Sequence, residues 1–192
     1  ERTADKNEIL LDDTFLLNYS IEPQPIPCEV VAPNPAREIV LVIDTSGSMR
    51  WDIDGNETND SSRKRMTIAK NAALKFIENI ESHDNVKLSL VSYANIGYVE
   101  KKLTTNFNEV KSEISNLNAD GGTNIGDGLR RAYYELNNGN AAEKYIILLT
   151  DGEPTYHSYK YVNKKKEAYF MESGAPYDFK GGGSKATPED IE

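Results

Sequence analysis

Ile39-Val40-Leu41-Val42-Ile43-Asp44-Thr45-Ser46-Gly47-Ser48-Met49 decides how the rest of the chain is read. Five apolar residues, most of them β-branched, run without alternation into an acid. That pattern is a strand covered on both faces, the central strand of a parallel sheet. Just past it, Asp44, Ser46 and Ser48 stand at every second position. Open α/β sheets bind ligands in the crevice outside the carboxyl ends of their strands. Hard cations take oxygen donors, and Mg2+ keeps several waters beside few carboxylates. One carboxylate with two hydroxyls therefore suits a hydrated Mg2+ better than zinc.

Upstream, residues 1–36 read as a β appendage with a proline-rich connection. Phe15, Leu17, Tyr19 and Ile21 alternate with Thr14, Leu16, Asn18 and Ser20, as in a half-exposed strand. Pro23, Pro25, Pro27, Pro33 and Pro35 exclude a helix after it, and Val30-Val31 fits a short strand between them. One or two strands are not stable alone, so they are expected to pair with the main sheet or with something beyond the chain.

Residues 37–192 read as the main domain. Arg50 to Arg65 is polar, and its Asp52-Ile53-Asp54-Gly55-Asn56 hints at a calcium loop. The EF-hand pattern also needs a later Glu at fixed spacing; Glu57 comes too early, which favours a solvated loop. Arg65 to Glu81 carries Met66, Ala69, Ala73, Phe76, Ile77 and Ile80 on one helical stripe. Val86–Ala94 is the next strand. Gly97–Leu103 follows after so short a turn that it must be antiparallel. Asn106–Leu117 is a helix with Phe107, Val110, Ile114 and Leu117 inward. The tight loop Gly121-Gly122-Thr123-Asn124 leads into a helix over Gly126–Asn138, with Leu129, Ala132, Tyr133 and Leu136 inward. Tyr145–Leu149 is another buried strand, ending in Thr150-Asp151-Gly152-Glu153-Pro154. The alternation predicts an α/β fold: a doubly wound, mostly parallel sheet with helices on both faces. Beyond it, residues 155–186 are polar, glycine-rich and rich in tyrosine, fitting either a contact surface or simple packing. Thr187-Pro188-Glu189-Asp190 has the form of a helix start.

Composition removes whole classes of function. The net charge of −9 argues against nucleic acid, which needs a basic surface. Cys28 is the lone cysteine, so there is no intrachain disulfide and no cysteine-based zinc site. No stretch approaches the ~20 apolar residues of a membrane span, so no direct insertion is expected. No signal peptide is recognised; targeting segments for export would lie outside this sequence.

Two strands thus deliver Asp44 and Asp151 to one sheet edge, and the glycine loop brings Thr123 between them. Either acid alone could merely cap a turn; with Ser46, Ser48 and Thr123 they read as a metal site. Enzymatic readings fit less well. A phosphotransferase of the haloacid dehalogenase type needs a second Asp where Ser46 stands. A serine hydrolase needs a partner histidine and a Gly-x-Ser-x-Gly turn. Gly181-Gly182-Gly183-Ser184-Lys185 lacks the Gly-Lys pair and the preceding strand of a phosphate loop.

Asp44-Thr-Ser46-Gly-Ser48, Gly121-Gly-Thr123-Asn and Leu149-Thr-Asp151-Gly-Glu-Pro resemble, in order and approximate spacing, the metal-ion-dependent adhesion site of von Willebrand factor type A domains. The resemblance covers about residues 37–154. The first 110 residues also resemble bacterial, Gram-positive, surface proteins that carry such domains. It implies that the hydroxyls of Ser46, Ser48 and Thr123 bind Mg2+, with Mn2+ or Ca2+ as alternatives, and that Asp44 and Asp151 bind directly or through water. It implies an open coordination position for an Asp or Glu carboxylate of a protein ligand, a shift of the helix after Asp151 on binding, and an extracellular or cell-surface, non-enzymatic role. The alternative is a pilus or multi-protein assembly component whose metal site is structural. In the family, further strands follow the Asp151 strand. Their absence here leads to the expectation of a sheet truncated after its fourth core strand, its apolar edge completed by a missing segment or another chain, or covered by the tail.

Overall fold

The computed structural model describes residues 34–162, together with the strand segments Arg2–Ala4, Leu17–Tyr19, Lys165–Ala168 and Asp178–Gly181. The chain divides into two compact units, Glu1–Pro33 and Asn34–Glu192. In the first, β1 (Arg2–Ala4) and β2 (Leu17–Tyr19) pair antiparallel, Arg2 opposite Tyr19. The expected Val30-Val31 strand lies outside the described residues, as does the helix start at Thr187.

The second unit runs β3 (Arg37–Asp44), α1 (Arg65–Ile80), β4 (Val86–Tyr93), β5 (Gly97–Thr104), α2 (Phe107–Asn116), α3 (Ile125–Asn137) and β6 (Glu143–Leu149). The sheet order is β5-β4-β3-β6. β3 is parallel to both neighbours, and β5 is antiparallel to β4. The unbroken apolar run therefore is the central strand of a mostly parallel α/β sheet. Its register puts Asp44 beside Tyr93 of β4 and Ile43 beside Leu149 of β6. Two parallel strands in register must end together, which is why Asp44 and Asp151 emerge at one edge.

Pleating sends alternate side chains of β3 to opposite faces. Ile39, Leu41 and Ile43 pack with Met66, Ala73 and Ile77 of α1 and with Val110 and Ile114 of α2. Val40 and Val42 pack with Val91, Tyr93, Ala132 and Leu136, under α3. Each Val, Leu, Ile or Met among them contributes about 1.5–3 kcal/mol when fully buried. The helical stripes expected for α1 and α2 are the ones that face this core.

Three expectations are corrected. On α3, Ala132 and Leu136 are inward, but Leu129 is 37% and Tyr133 51% exposed. The covered positions include Asp127, Arg130 and Glu135 instead. Asp127 accepts the Gly97 N–H at 2.6 Å and Glu135 the Leu103 N–H at 2.7 Å. β5 is an edge strand whose register against β4 shifts, and its backbone donors need acceptors. The polar side of α3 supplies them, so a pattern counted in apolar residues turns the helix the wrong way. β6, read as a buried strand, is among the described residues the apolar edge expected after the fourth core strand, with Tyr145 46% and Ile146 38% exposed. Finally, a strand does run into Gly181-Gly182-Gly183, where none was expected. β7 (Tyr156–Val162) lies between β8 (Lys165–Ala168) and β9 (Asp178–Gly181), antiparallel to both.

Candidate metal centre

Asp44 ends β3 with no exposed surface. Its Oδ1 accepts the Ser46 N–H at 2.8 Å. Its Oδ2 accepts the Tyr93 hydroxyl at 3.0 Å and the Thr150 hydroxyl at 2.8 Å. All three donors are neutral. Burial pushes the Asp44 carboxyl above its ordinary value, the Ser46 and Thr150 hydrogen bonds oppose this, and the charge of Asp151 adds to it. Burial likewise raises the Tyr93 hydroxyl, helped by the charge of Asp44. A sealed acid whose donors are all neutral is a place where added positive charge is favourable.

Thr45 is pinned to β4, its N–H and hydroxyl both donating to Tyr93 O, at 2.8 and 2.9 Å. The chain then turns into a short 3-10 helix, Gly47–Arg50. Ser48 donates to Asp151 Oδ1 at 3.1 Å, so Ser46, whose hydroxyl lies 3.1 Å from that of Ser48, is the donor to it. Ser46, Ser48 and Asp151 thus form one chain of oxygens. Asp44 reaches the same strand end through Thr150.

The threonine loop is fastened from both sides. Gly47 N–H donates to Gly121 O at 2.9 Å, and Asp120 N–H to Thr45 O at 2.7 Å. Gly121 has φ +86°, which side-chain-bearing residues rarely adopt. A Cβ on Gly122 would stand 2.1 Å from the Tyr156 ring, so glycine allows that close approach. Asn95 Oδ1 accepts the Gly122 N–H at 2.6 Å. Thr123 N–H donates to Thr155 Oγ1 at 3.0 Å, and Thr123 O accepts the N–H groups of Thr155 and Tyr156 at 2.9 and 3.0 Å. Asn124 caps α3 by accepting the Asp127 N–H at 3.1 Å.

Ser48, Thr123 and Asp151 line a cavity of about 600 Å3 together with Trp51, Arg65 and Tyr156. Asp44 and Ser46 are buried and do not line it. Four of the five candidate residues are joined directly by hydrogen bonds, Asp44 through the Ser46 N–H; Thr123 lies with Ser48 and Asp151 on the wall of the cavity. Two carboxylates and three hydroxyls form an all-oxygen donor set, which suits a hard divalent cation. Among the described residues, no group of three or more His, Cys, Asp or Glu side chains is placed to hold a metal. In the suspected calcium loop, Asp52 is buried rather than solvated. Its Oδ1 accepts the N–H groups of Asp54 and Asn56, and its Oδ2 is 2.9 Å from Arg63 Nη2. The Asn56 N–H, followed by the Arg63 charge, holds its carboxyl below the ordinary value.

Several residues of the site were not singled out in the sequence. Thr150 carried a signal, sitting beside Asp151 at a strand end. Tyr93, Asn95, Thr155 and Arg65 carried none, since their contacts join positions far apart in the chain.

The profile of the von Willebrand factor type A domain matches residues 39–153, which include all five candidates. The chain belongs to that family. Bovine (Bos taurus) inter-alpha-trypsin inhibitor heavy chain H4 is 26% identical over 86% of this chain and 19% of its own length. A D319A mutant of the PilB minor pilin from Streptococcus sanguinis superimposes with TM-score 0.74 at 23% identity, over 84% of this chain and 45% of that one, a likeness of fold. The von Willebrand factor domain of the type V pili tip protein Mfa5 from Porphyromonas gingivalis gives TM-score 0.59 at 25% identity, over 69% of this chain and 43% of that one. The chain therefore spans less than half of each of these proteins. In this type A domain, residues 152–155 are not helical and β7 follows directly. The one helix start expected after Asp151, at Thr187, lies outside the described residues.

Proposed function

We propose that this type A domain is a metal-dependent protein-binding module. Ser46, Ser48 and Thr123 would hold Mg2+ by their hydroxyls, with Asp44 and Asp151 binding directly or through water. Mn2+ or Ca2+ would satisfy the same oxygens. When bound, the cation supplies a Lewis-acidic position for the carboxylate of an Asp or Glu on a partner protein. The observation that carries the reading is the Ser46–Ser48–Asp151 oxygen chain, opening at Ser48 and Asp151 into the cavity. Neutral hydroxyls leave the cation's charge largely uncompensated, which favours an outside carboxylate. Trp51 and Tyr156 on the cavity wall offer apolar surface to the residues flanking it. Relatives that are pilus proteins support an extracellular or cell-surface setting.

Calorimetric titration with Mg2+ tests the site. The parent binds, and Ser46→Ala and Asp151→Ala lose the heat; binding that survives both substitutions sinks the assignment. The likeness to pilus proteins also favours a second reading, an assembly component in which the metal site is structural. Partner binding that persists in EDTA with the fold intact selects that reading.

A further inference from the structure

Asp151 is held by two different donors. Ser48 takes Oδ1, and the guanidinium of Arg65 takes Oδ2, Nη1 to oxygen at 2.7 Å. The pair is largely shielded, with side-chain exposures of 21% for Arg65 and 8% for Asp151. Arg65 is also fixed in place. It opens α1, its backbone N–H donates to Trp51 O at 2.9 Å, and its Nη2 lies against Gly55, 3.6 Å from where a Cβ there would stand. It lines the same cavity as Ser48, Thr123 and Asp151.

Resting on the metal-site reading above, we propose that Arg65 is a built-in competitor of the divalent cation. It takes up half of the Asp151 carboxylate and sets the affinity of the site low. The argument is one of charge. A guanidinium is always protonated and cannot be neutralised to make room. A divalent cation and Arg65 both draw on the negative charge of Asp151, and each repels the other across a site with limited access to water. Asp44 is then the single acid of the set without a cationic partner of its own. A shell with so little negative charge holds its cation weakly and gains most from one more carboxylate. Arg65 thereby ties retention of the cation to arrival of the partner. Linkage makes the competition reciprocal: whatever factor Arg65 takes from cation affinity, the cation takes from the Arg65–Asp151 pair.

Calorimetry with Mg2+ alone tests this on the full chain. Arg65→Gln is expected to bind Mg2+ about tenfold more tightly than the parent, the order expected when one neighbouring unit charge is removed from a partly screened site. Arg65→Lys keeps the charge and stays near the parent. Equal or weaker Mg2+ binding in Arg65→Gln, with the parent binding normally, overturns this inference alone. Absence of Mg2+ binding in the parent overturns the metal-site reading and the inference with it. Should Arg65→Gln fail to fold, Arg65→Met serves in its place with the same expected tightening.

Discussion

Tyr93→Phe removes one oxygen from the interior and nothing else. The ring is fully buried, and its hydroxyl gives Asp44 Oδ2 a hydrogen bond of 3.0 Å. Asp44 keeps the Thr150 hydroxyl on that oxygen and the Ser46 N–H on the other. Hydrogen bonds to charged groups are worth about 1.5–3 kcal/mol, and a carboxylate with two donors left places the loss near the lower end, about 1.5–2 kcal/mol. For a domain of this size each kcal/mol shifts the melting temperature by about 2–4 °C, so Tyr93→Phe should melt about 3–8 °C below the parent. Tyr98→Phe is the matched control, the same chemical change at a ring that is 54% exposed. It should stay within about 0.5 kcal/mol of the parent. Thermal melts in EDTA, followed by near-ultraviolet circular dichroism, make the comparison free of bound cation. If Tyr93→Phe melts with the control, the hydroxyl is not holding a charged Asp44, and the electrostatic account of the site is wrong.

Leu41→Ala empties a fully buried position between β3 and the two helices on its face; a loss of about 2–5 kcal/mol in urea unfolding is expected. Gly122→Ala forces the Tyr156 ring away from a Cβ at 2.1 Å. Overpacking of that kind costs about 1–3 kcal/mol, and Mg2+ affinity should fall with it because Thr123 is next in the chain. Asp52→Ala frees the amides of Asp54 and Asn56, whose hydrogen exchange should quicken, while the Mg2+ isotherm stays that of the parent. A lost or halved metal stoichiometry in that variant would instead restore the calcium-loop reading.

The sheet was legible in the sequence because its central strand declares itself. Ile39–Ile43 has no alternation to hide behind, and its partner Tyr145–Leu149 repeats the pattern with an acid at the same end. Two parallel strands in register then leave the acids no other place to go. What stayed hidden has a common cause. Asp127 and Glu135 of α3 face inward because edge strand β5 needs acceptors at Gly97 and Leu103, a demand set 30 or more residues away. Tyr93 and Asn95 reach Asp44 and Gly122 across similar distances in sequence. Arg65 looked like an ordinary helix start, and only the fold brings it to Asp151, 86 residues on. Periodicity reports which face a helix or strand buries in apolar contact; it is silent on where a buried backbone donor finds its acceptor. The exposure of Tyr145 and Ile146 follows from the position of β6 at the sheet's end among the described residues, the apolar edge expected from the motif order.

The three hydrogen bonds that join Thr123 to Thr155 and Tyr156 also fix a path for mechanical load. Tension on the chain from the β7 side meets these bonds before it meets Asp151, four residues upstream of Thr155. They share the pull between the strand and the threonine loop, and through Gly121 O and Gly47 N–H the loop passes it on to the turn that carries Ser46 and Ser48. A force that would pluck one arm of the site outward is thus spread over all of them, and the oxygens keep their spacing until the clamp itself gives way.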